Sequence, residues 1–223
     1  GPYFDVMNFH YYPTFDWRWA ALAGAKNGLN GKTTEIRNIL GTNKPIAITE
    51  IGLSSSAVFG SSADTQSRAV VKQFTRLAAS DVKIGIWYTS TDYGIPSASG
   101  DPFVAHGLFD SKLTPKRAFA AYFFMTYLLK NDSYTNSIAT TFQSGNNIEG
   151  YRFTDATTGA HTIVLWTTNS TIQSITMPSG FTAAYDKYGT RLASSPTVSV
   201  SDSPIYLLPN AIPLNYRRYL PLI

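Results

Sequence analysis

Apolar and polar positions follow two textures along the chain. From residue 3 to residue 130, short apolar runs alternate with stretches of helical spacing. Phe4-Asp5-Val6-Met7-Asn8-Phe9-His10 reads as a strand, followed by an aromatic loop from Tyr11 to Trp19. A helix is predicted near Thr33 to Leu40, with Gly41 at its C-terminal cap. Lys44 to Glu50 reads as a second strand. A Ser/Gly loop, Ser54 to Ser62, then leads into a helix over Ala63 to Ala79, where Ala69, Val70, Phe74, Leu77 and Ala78 recur at helical spacing. Val82 to Tyr88 is a third strand, and Thr89 to Phe109 a long polar loop. Thr114-Pro115 supplies N-cap and first-turn signals for a helix running through Ala118 to Leu129.

After Lys130, Ser, Thr, Asn and Gly dominate the loops between short β-type runs: Tyr151–Phe153, Thr162–Thr167, Ile172–Met177, Thr182–Tyr185, Thr197–Val200 and Ile205–Leu208. Glycine-containing turns between several of them predict a small antiparallel β-sandwich. The organisation expected is therefore an α/β region over 1–130, a linker over 131–147, and a β-sandwich domain with a C-terminal tail over 148–223.

The three N-terminal strands start roughly 40 residues apart, the spacing of βα units with right-handed crossovers. Three parallel strands cannot close a (β/α)8 barrel, which takes about 250 residues. Their outer edges are exposed unless something covers them. The expected cover is an absent N-terminal segment or a second copy of the chain. The lack of a signal peptide and the abrupt start in a strand fit the first of these.

One strand carries chemistry. Of the seven residues from Ile46 to Gly52, five are Ile, Ala or Gly, the pattern of a strand buried on both faces. Glu50 nevertheless closes it. A carboxylate in that setting is costly unless it is paired or used. The C-terminal ends of barrel strands are where active sites form. The other two glutamates have ordinary explanations: Glu35 falls in a helical pattern, and Glu149 in a polar stretch expected at the surface. A structural role for Glu50, satisfied by an Arg or by backbone donors, is the competing reading.

Composition narrows the rest. A chain of 223 residues with 43% hydrophobic and 14% charged residues is globular. No apolar run approaches the ~20 residues of a transmembrane helix. A net charge of +4 is spread over scattered positions, and Tyr216-Arg217-Arg218-Tyr219 is too short to be a nucleic-acid footprint. With no cysteine, disulfides and thiol chemistry are excluded. His10, His106 and His161 lie far apart, so neither a metal site nor a cofactor is expected. The abundance of Ser, Thr, Asn, Gly and Tyr suits an exported protein that meets carbohydrate.

His10 and Tyr12 share parity and so point to one face if the first strand continues that far. With Glu50 closing the second strand and Trp87 near the end of the third, the pieces Phe4 to Pro13, Lys44 to Gly52, Gly85-Ile86-Trp87-Tyr88 and Gly107-Leu108-Phe109-Asp110…Thr114-Pro115-Lys116-Arg117-Ala118 form a set. Over residues 3 to 130 this set resembles the last three βα units of the large clan of retaining glycoside hydrolases with (β/α)8 barrels. That clan includes cellulases, mannanases, xylanases, β-xylosidases and β-galactosidases, and several of its families carry a trailing β-sandwich. The resemblance implies that Glu50 is the nucleophile. It implies that Tyr12 is the hydroxyl beside it with His10 adjacent, and that Trp87 is the floor of the sugar site. Tyr11, Trp17, Trp19, Tyr93 and Phe103 could extend that platform. A carboxylate attacks the anomeric carbon and stabilises an oxocarbenium-like transition state, and a neighbouring hydroxyl donor favours its ionised form.

The chain departs from the clan in having no segment for the second glutamate, the acid/base, which must lie about 5–5.5 Å from the nucleophile. Asp92 and Asp101 are the nearest substitutes in sequence, and substrate contact or loop structure explains them better than catalysis. Retaining hydrolysis of β-linked sugars with a complementing half is thus the first expectation. A non-catalytic carbohydrate-binding or assembly module is the second, and a barrel enzyme of another class the third.

Overall fold

The computed structural model describes residues 4–13, 28–41, 44–97, 100–138, 147–192 and 196–212. The chain divides into two units, Gly1–Lys116 and Arg117–Ile223.

In the first unit, β1 (Met7–Tyr11), β2 (Ile46–Ile51) and β3 (Val82–Trp87) form a parallel sheet in the order β1-β2-β3. Helix α1 (Gly28–Leu40) follows β1, and α2 (Ala63–Ala79) connects β2 to β3. Ser62 starts α2 by accepting the Thr65 N–H at 3.0 Å, an N-cap that satisfies one of the orphan donors of the first turn. Gly41 ends α1 at φ +71°, which a residue with a Cβ resists. Both helices lie against one face of the sheet. A Cβ on Gly85 would meet Leu77 and Phe74 of α2, and Lys32 of α1 sits 4.3 Å from the Phe9 ring. Phe9, Ile48 and Gly85 form one row on this face.

Helix α1 starts five residues before the predicted Thr33. Its glycine-bearing first turn is buried at Gly28, Leu29 and Gly31, so packing overrides weak local propensity. The first strand starts three residues later than predicted and includes Tyr11.

In the second unit, α3 (Arg117–Leu129) precedes β4 (Asp132–Ser137), β5 (Ile148–Asp155), β6 (His161–Thr167), β7 (Gln173–Thr176), β8 (Ala183–Asp186), β9 (Thr197–Val200) and β10 (Ile205–Leu208). The larger sheet is antiparallel in the order β4-β5-β6-β10-β8, and β7 pairs with β9. One core gathers Ile148, Ile163, Leu165, Ile205 and Leu207 of the large sheet with Ile175, Val198 and Val200 of the small one. The other face of the large sheet receives Phe124 of α3, whose ring lies 5.2 Å from Tyr206 and 6.0 Å from Tyr185.

The two units meet at 116/117; of the stretch 131–147 expected as a linker, residues 139–146 lie outside the described residues. Helix α3 belongs with the antiparallel sheet it packs on, and Asp132–Ser137 is a strand. Nor does Thr114-Pro115 cap that helix. Thr114 accepts the Asp110 N–H, Pro115 bridges Phe109, and the Lys116 N–H goes to Leu108, so the segment is extended and the helix starts beyond it. Glu149 is half-buried in β5, where it accepts from Tyr151 at 2.6 Å and from the Trp166 indole at 3.2 Å. Among the described residues, no helix is long and apolar enough to cross a membrane.

Candidate functional site

Glu50 stands at the C-terminal end of the central strand of the parallel sheet. Register brings it to His10. Along β1 and β2 the pairs run Asn8 with Ala47 and Phe9 with Ile48, but then His10 with Glu50. Thr49 is therefore the extra residue of a β-bulge, a device that re-aims side chains at strand ends. The pairing of β2 with β3 slips at the same place, between Ile48 and Ile51. The Thr49 hydroxyl donates to Asn8 Oδ1 at 2.8 Å, so Thr49 and Glu50 both reach side chains of the Asn8–His10 face of β1.

Two groups meet one carboxylate oxygen. The Tyr12 hydroxyl donates to Glu50 Oε2 at 2.5 Å, and His10 Nδ1 lies 3.2 Å from the same atom. Glu50 is about one-third exposed and His10 half exposed, so the carboxylate is held but not sealed. Burial raises the Tyr12 pKa, and the hydrogen bond to Glu50 and its charge push the same way. Tyr12 is therefore a fixed donor. Lys32 Nζ holds the His10 carbonyl at 2.7 Å and fixes the main chain that carries both partners.

An aromatic cluster stands around Tyr12. Its ring centroid is 4.8 Å from Phe103, 5.9 Å from His106 and 6.3 Å from Tyr88. Phe103 is also 5.2 Å from His106. These rings come from the loop after β3, which α2 pins in place. The buried Gln66 side chain donates to Leu53 O at 2.9 Å, Gly107 O at 3.2 Å and Ala105 O at 3.3 Å. Gly52 is required where this loop passes the end of β2, because a Cβ there would stand 2.5 Å from the Tyr88 carbonyl oxygen.

Of the residues singled out in the sequence, the structure gathers Glu50, Tyr12 and His10. Trp87 is buried at 8% exposure, with its indole N–H given to His106 O at 2.9 Å. Its neighbour Tyr88, half-buried, presents the ring beside Tyr12. Tyr11 points away from the His10 face and is buried at 2% exposure, so it is a core residue of β1 and not a surface for ligand. Trp17 and Trp19 lie outside the described residues. Tyr93 is exposed and donates to Asp101 at 2.8 Å.

Tyr88, His106 and Gln66 are the residues that the sequence did not single out. Strand parity offered one signal, since Tyr88 opposes Trp87. Nothing local marks the other two. His106 is buried, and burial lowers its pKa to about 4, with the nearby Lys116 pushing the same way.

The two aspartates serve the loop. Asp92 accepts Lys116 Nζ at 3.0 Å and the Gly107 N–H at 2.7 Å. Asp101 caps a 3-10 turn over Pro102–Ala105 by accepting the Phe103 N–H at 2.8 Å. That backbone bond, with the Tyr93 hydroxyl, holds the Asp101 carboxyl below its usual range, which makes it a poor proton donor. Among the described residues, no group of three or more His, Asp or Glu side chains is arranged to hold a metal ion.

No family model and no curated protein sequence matches the chain. Solved structures do. A family 39 glycoside hydrolase from the gut symbiont Bacteroides cellulosilyticus superposes with a TM-score of 0.69 at 18% identity, over 92% of this chain and 44% of that one. A conserved exported protein from Bacteroides fragilis gives 0.57 at 10% identity, over 92% and 46%. A bifunctional glucanase-xylanase from a metagenome library gives 0.50 at 11% identity, over 92% and 43%. The chain thus has a glycoside-hydrolase-like fold and spans less than half the length of each of these relatives.

Proposed function

We propose that the chain contributes the nucleophile of a retaining glycoside hydrolase acting on β-linked sugars. The observation that carries this reading is the convergence of Tyr12 and His10 on Oε2 of Glu50 at the end of a parallel strand. A carboxylate oriented by two partners, partly open to solvent and bordered by aromatic rings suits attack on an anomeric carbon. Glu50 forms the bond to that carbon as the leaving oxygen departs with a proton from a second carboxyl group. Water, deprotonated by that same second group, then releases the sugar. Tyr12 stabilises the charge on Glu50, and Tyr88 with Phe103 offers apolar faces to the sugar C–H groups.

The second carboxyl group comes from outside the described residues. Asp92 is held by Lys116, and the capped Asp101 gives up its proton too readily. The barrel architecture, of which the β1–β2–β3 sheet would be one part, belongs to the same proposal, as does an extracellular location.

The nucleophile can be tested without the acid. A 2-deoxy-2-fluoro β-glycoside with a dinitrophenyl leaving group departs unprotonated, so attack by Glu50 leaves a covalent sugar detectable by mass spectrometry. A panel of gluco-, xylo-, galacto- and manno- reagents is expected to label the peptide containing Glu50, and Glu50→Gln to abolish labelling. Labelling elsewhere, or none with any reagent, sinks the reading. The aromatic rings gathered around Tyr12 also suit a non-catalytic sugar-binding module. Polysaccharide binding that survives Glu50→Gln but is lost with Tyr88→Ala, without any covalent labelling, supports that alternative.

A further inference from the structure

The loop after β3 carries a charge that the chemistry at Glu50 does not use. Asp101 is exposed, and each of its oxygens takes one bond: Oδ1 accepts the Phe103 N–H at 2.8 Å, and Oδ2 the Tyr93 hydroxyl at 2.8 Å. An ionised carboxylate can accept about four hydrogen bonds, so half of that capacity is open. Asp101 also borders the site. The Phe103 ring lies 4.8 Å from the Tyr12 ring, and the Tyr12 hydroxyl binds Glu50.

Tyr93 is the second part. It is 52% exposed, yet it is fixed at both ends. Asp101 holds its hydroxyl, with the Tyr88 hydroxyl 3.5 Å away, and its main-chain N–H goes to Val104 O at 3.2 Å. An exposed ring already held in place loses little freedom when a ligand covers it. A ring face with a carboxylate at its edge matches a pyranose, which offers apolar C–H groups on its face and hydroxyl donors around its rim.

Charge decides which pyranose. Among the described residues, the ion-pair partner of Glu50 is His10, and Asp101 has none with Lys or Arg. Lys116 is taken by Asp92 at 3.0 Å, and Lys32 by the His10 carbonyl, over the Phe9 ring on the helix face. The site therefore presents two carboxylates in a chain whose net charge is +4. The Phe103 N–H and the Tyr93 hydroxyl keep the Asp101 carboxyl below its usual range, so its charge persists at neutral pH.

We propose that Tyr93 and Asp101 bind the sugar unit next to the one at Glu50, and that Asp101 restricts that unit to uncharged sugars and turns acid sugars away. The proposal rests on Glu50 marking a sugar site, and not on its acting as a nucleophile. Two like charges at contact distance in water repel by enough to weaken binding about fivefold. Salt screens that repulsion.

The test uses paired probes on the 223-residue chain. They are tetrasaccharides of β-linked glucose, mannose and galactose, and the same oligosaccharides with their primary alcohols oxidised to carboxylates. In ligand-observed NMR titrations at low salt, at least one neutral probe is expected to bind. Its oxidised partner should bind about tenfold more weakly or worse, from the two carboxylates together. Asp101→Asn keeps the cap on Phe103, because Asn serves there as well as Asp, and the oxidised probe should regain about fivefold. Glu50→Gln leaves the Asp101 share of the gap in place. Tyr93→Ala should weaken the neutral probe about tenfold. Near-ultraviolet circular dichroism checks that each variant keeps the parent's fold.

Oxidised probes that bind as well as neutral ones overturn the proposal. So does a gap that Asp101→Asn leaves unmoved, an undiminished affinity in Tyr93→Ala, or no binding by any neutral probe. The fluoro-sugar reagents carry a single sugar and report on Glu50 alone. Labelling without charge selection removes this proposal and keeps the nucleophile, and charge selection without labelling does the reverse.

Discussion

In the antiparallel sheet, β6 is buried at six of its seven positions and β10 at all four, whereas β3 of the parallel sheet is buried only at Trp87. General expectation runs the other way. Crossover helices cover parallel sheets on both faces, and antiparallel sheets commonly leave one face to water. Here the two-stranded sheet covers one face of the antiparallel sheet, and Phe124 of α3 packs on the other. Among the described residues, the helices of the parallel sheet lie on one side of it. The lesson is that the more complete packing lies in the unit without the candidate chemistry, and the open face leads directly to Glu50.

The largest expected effect tests the closed side of that contrast. Phe124 is fully buried between Tyr185 and Tyr206. Phe124→Ala removes a large side chain from a site with little room to collapse, and is expected to cost about 3–5 kcal/mol. Denaturant melts followed by near-ultraviolet circular dichroism measure it. A loss below about 1 kcal/mol would mean that α3 does not carry the second face of the sheet.

Next in size is a pH effect in the first unit. His106 has its pKa lowered from 6.5 to about 4, chiefly by burial. The unfolded chain therefore binds a proton that the folded chain refuses between those two values. Stability is constant above about pH 6.5 and falls as pH drops toward 4, by of order 3 kcal/mol. Replacing His106 with Gln flattens that slope. An unchanged slope in the variant would assign the acid sensitivity to another group and leave His106 as a packing residue only.

Much of this was legible in the sequence, and the failures share a cause. Helix α2 was read at Ala63–Ala79, and β9 and β10 were also read to their ends, because cap, spacing and apolar content all act within the element. The meeting of Glu50 with His10 and Tyr12 was approachable from parity. The bulge at Thr49 that secures it was not, since register belongs to two strands at once. Tyr88 was hidden behind Trp87 because the choice between them depends on which ring the returning loop covers. Strand β4 is polar and has no fully buried position, so it carries no alternation to detect. It forms only as the edge partner of β5. The acid/base could not be read at all, because neither the sequence nor the described residues place a carboxyl group for it.

A smaller effect probes the site itself. Tyr12→Phe keeps the ring against Phe103 and His106 but removes the donor to Oε2. Hydrogen bonds to charged groups contribute about 1.5–3 kcal/mol, so labelling of Glu50 by the fluoro-sugar is expected to slow by about 10- to 100-fold. Stability should fall by no more than that same contribution of about 1.5–3 kcal/mol. A rate within about twofold of the parent would mean that His10 alone orients the carboxylate.

The smallest expected effect is the sharpest test of the contrast. Ile84 and Phe124 are both large and apolar, and in a complete core both would be costly to truncate. Ile84, however, is half exposed on the uncovered face. In the chain alone Ile84→Ser gives up almost no burial, and its stability should stay within about 0.5 kcal/mol of the parent. The same change in a chain whose sheet is covered would leave a cavity and a hydroxyl in need of a partner, costing about 2–4 kcal/mol. The difference between the two measurements reports how much packing the face lacks. A cost above about 2 kcal/mol in the isolated monomer would show that the chain already covers this face, and the contrast between the two sheets would then disappear.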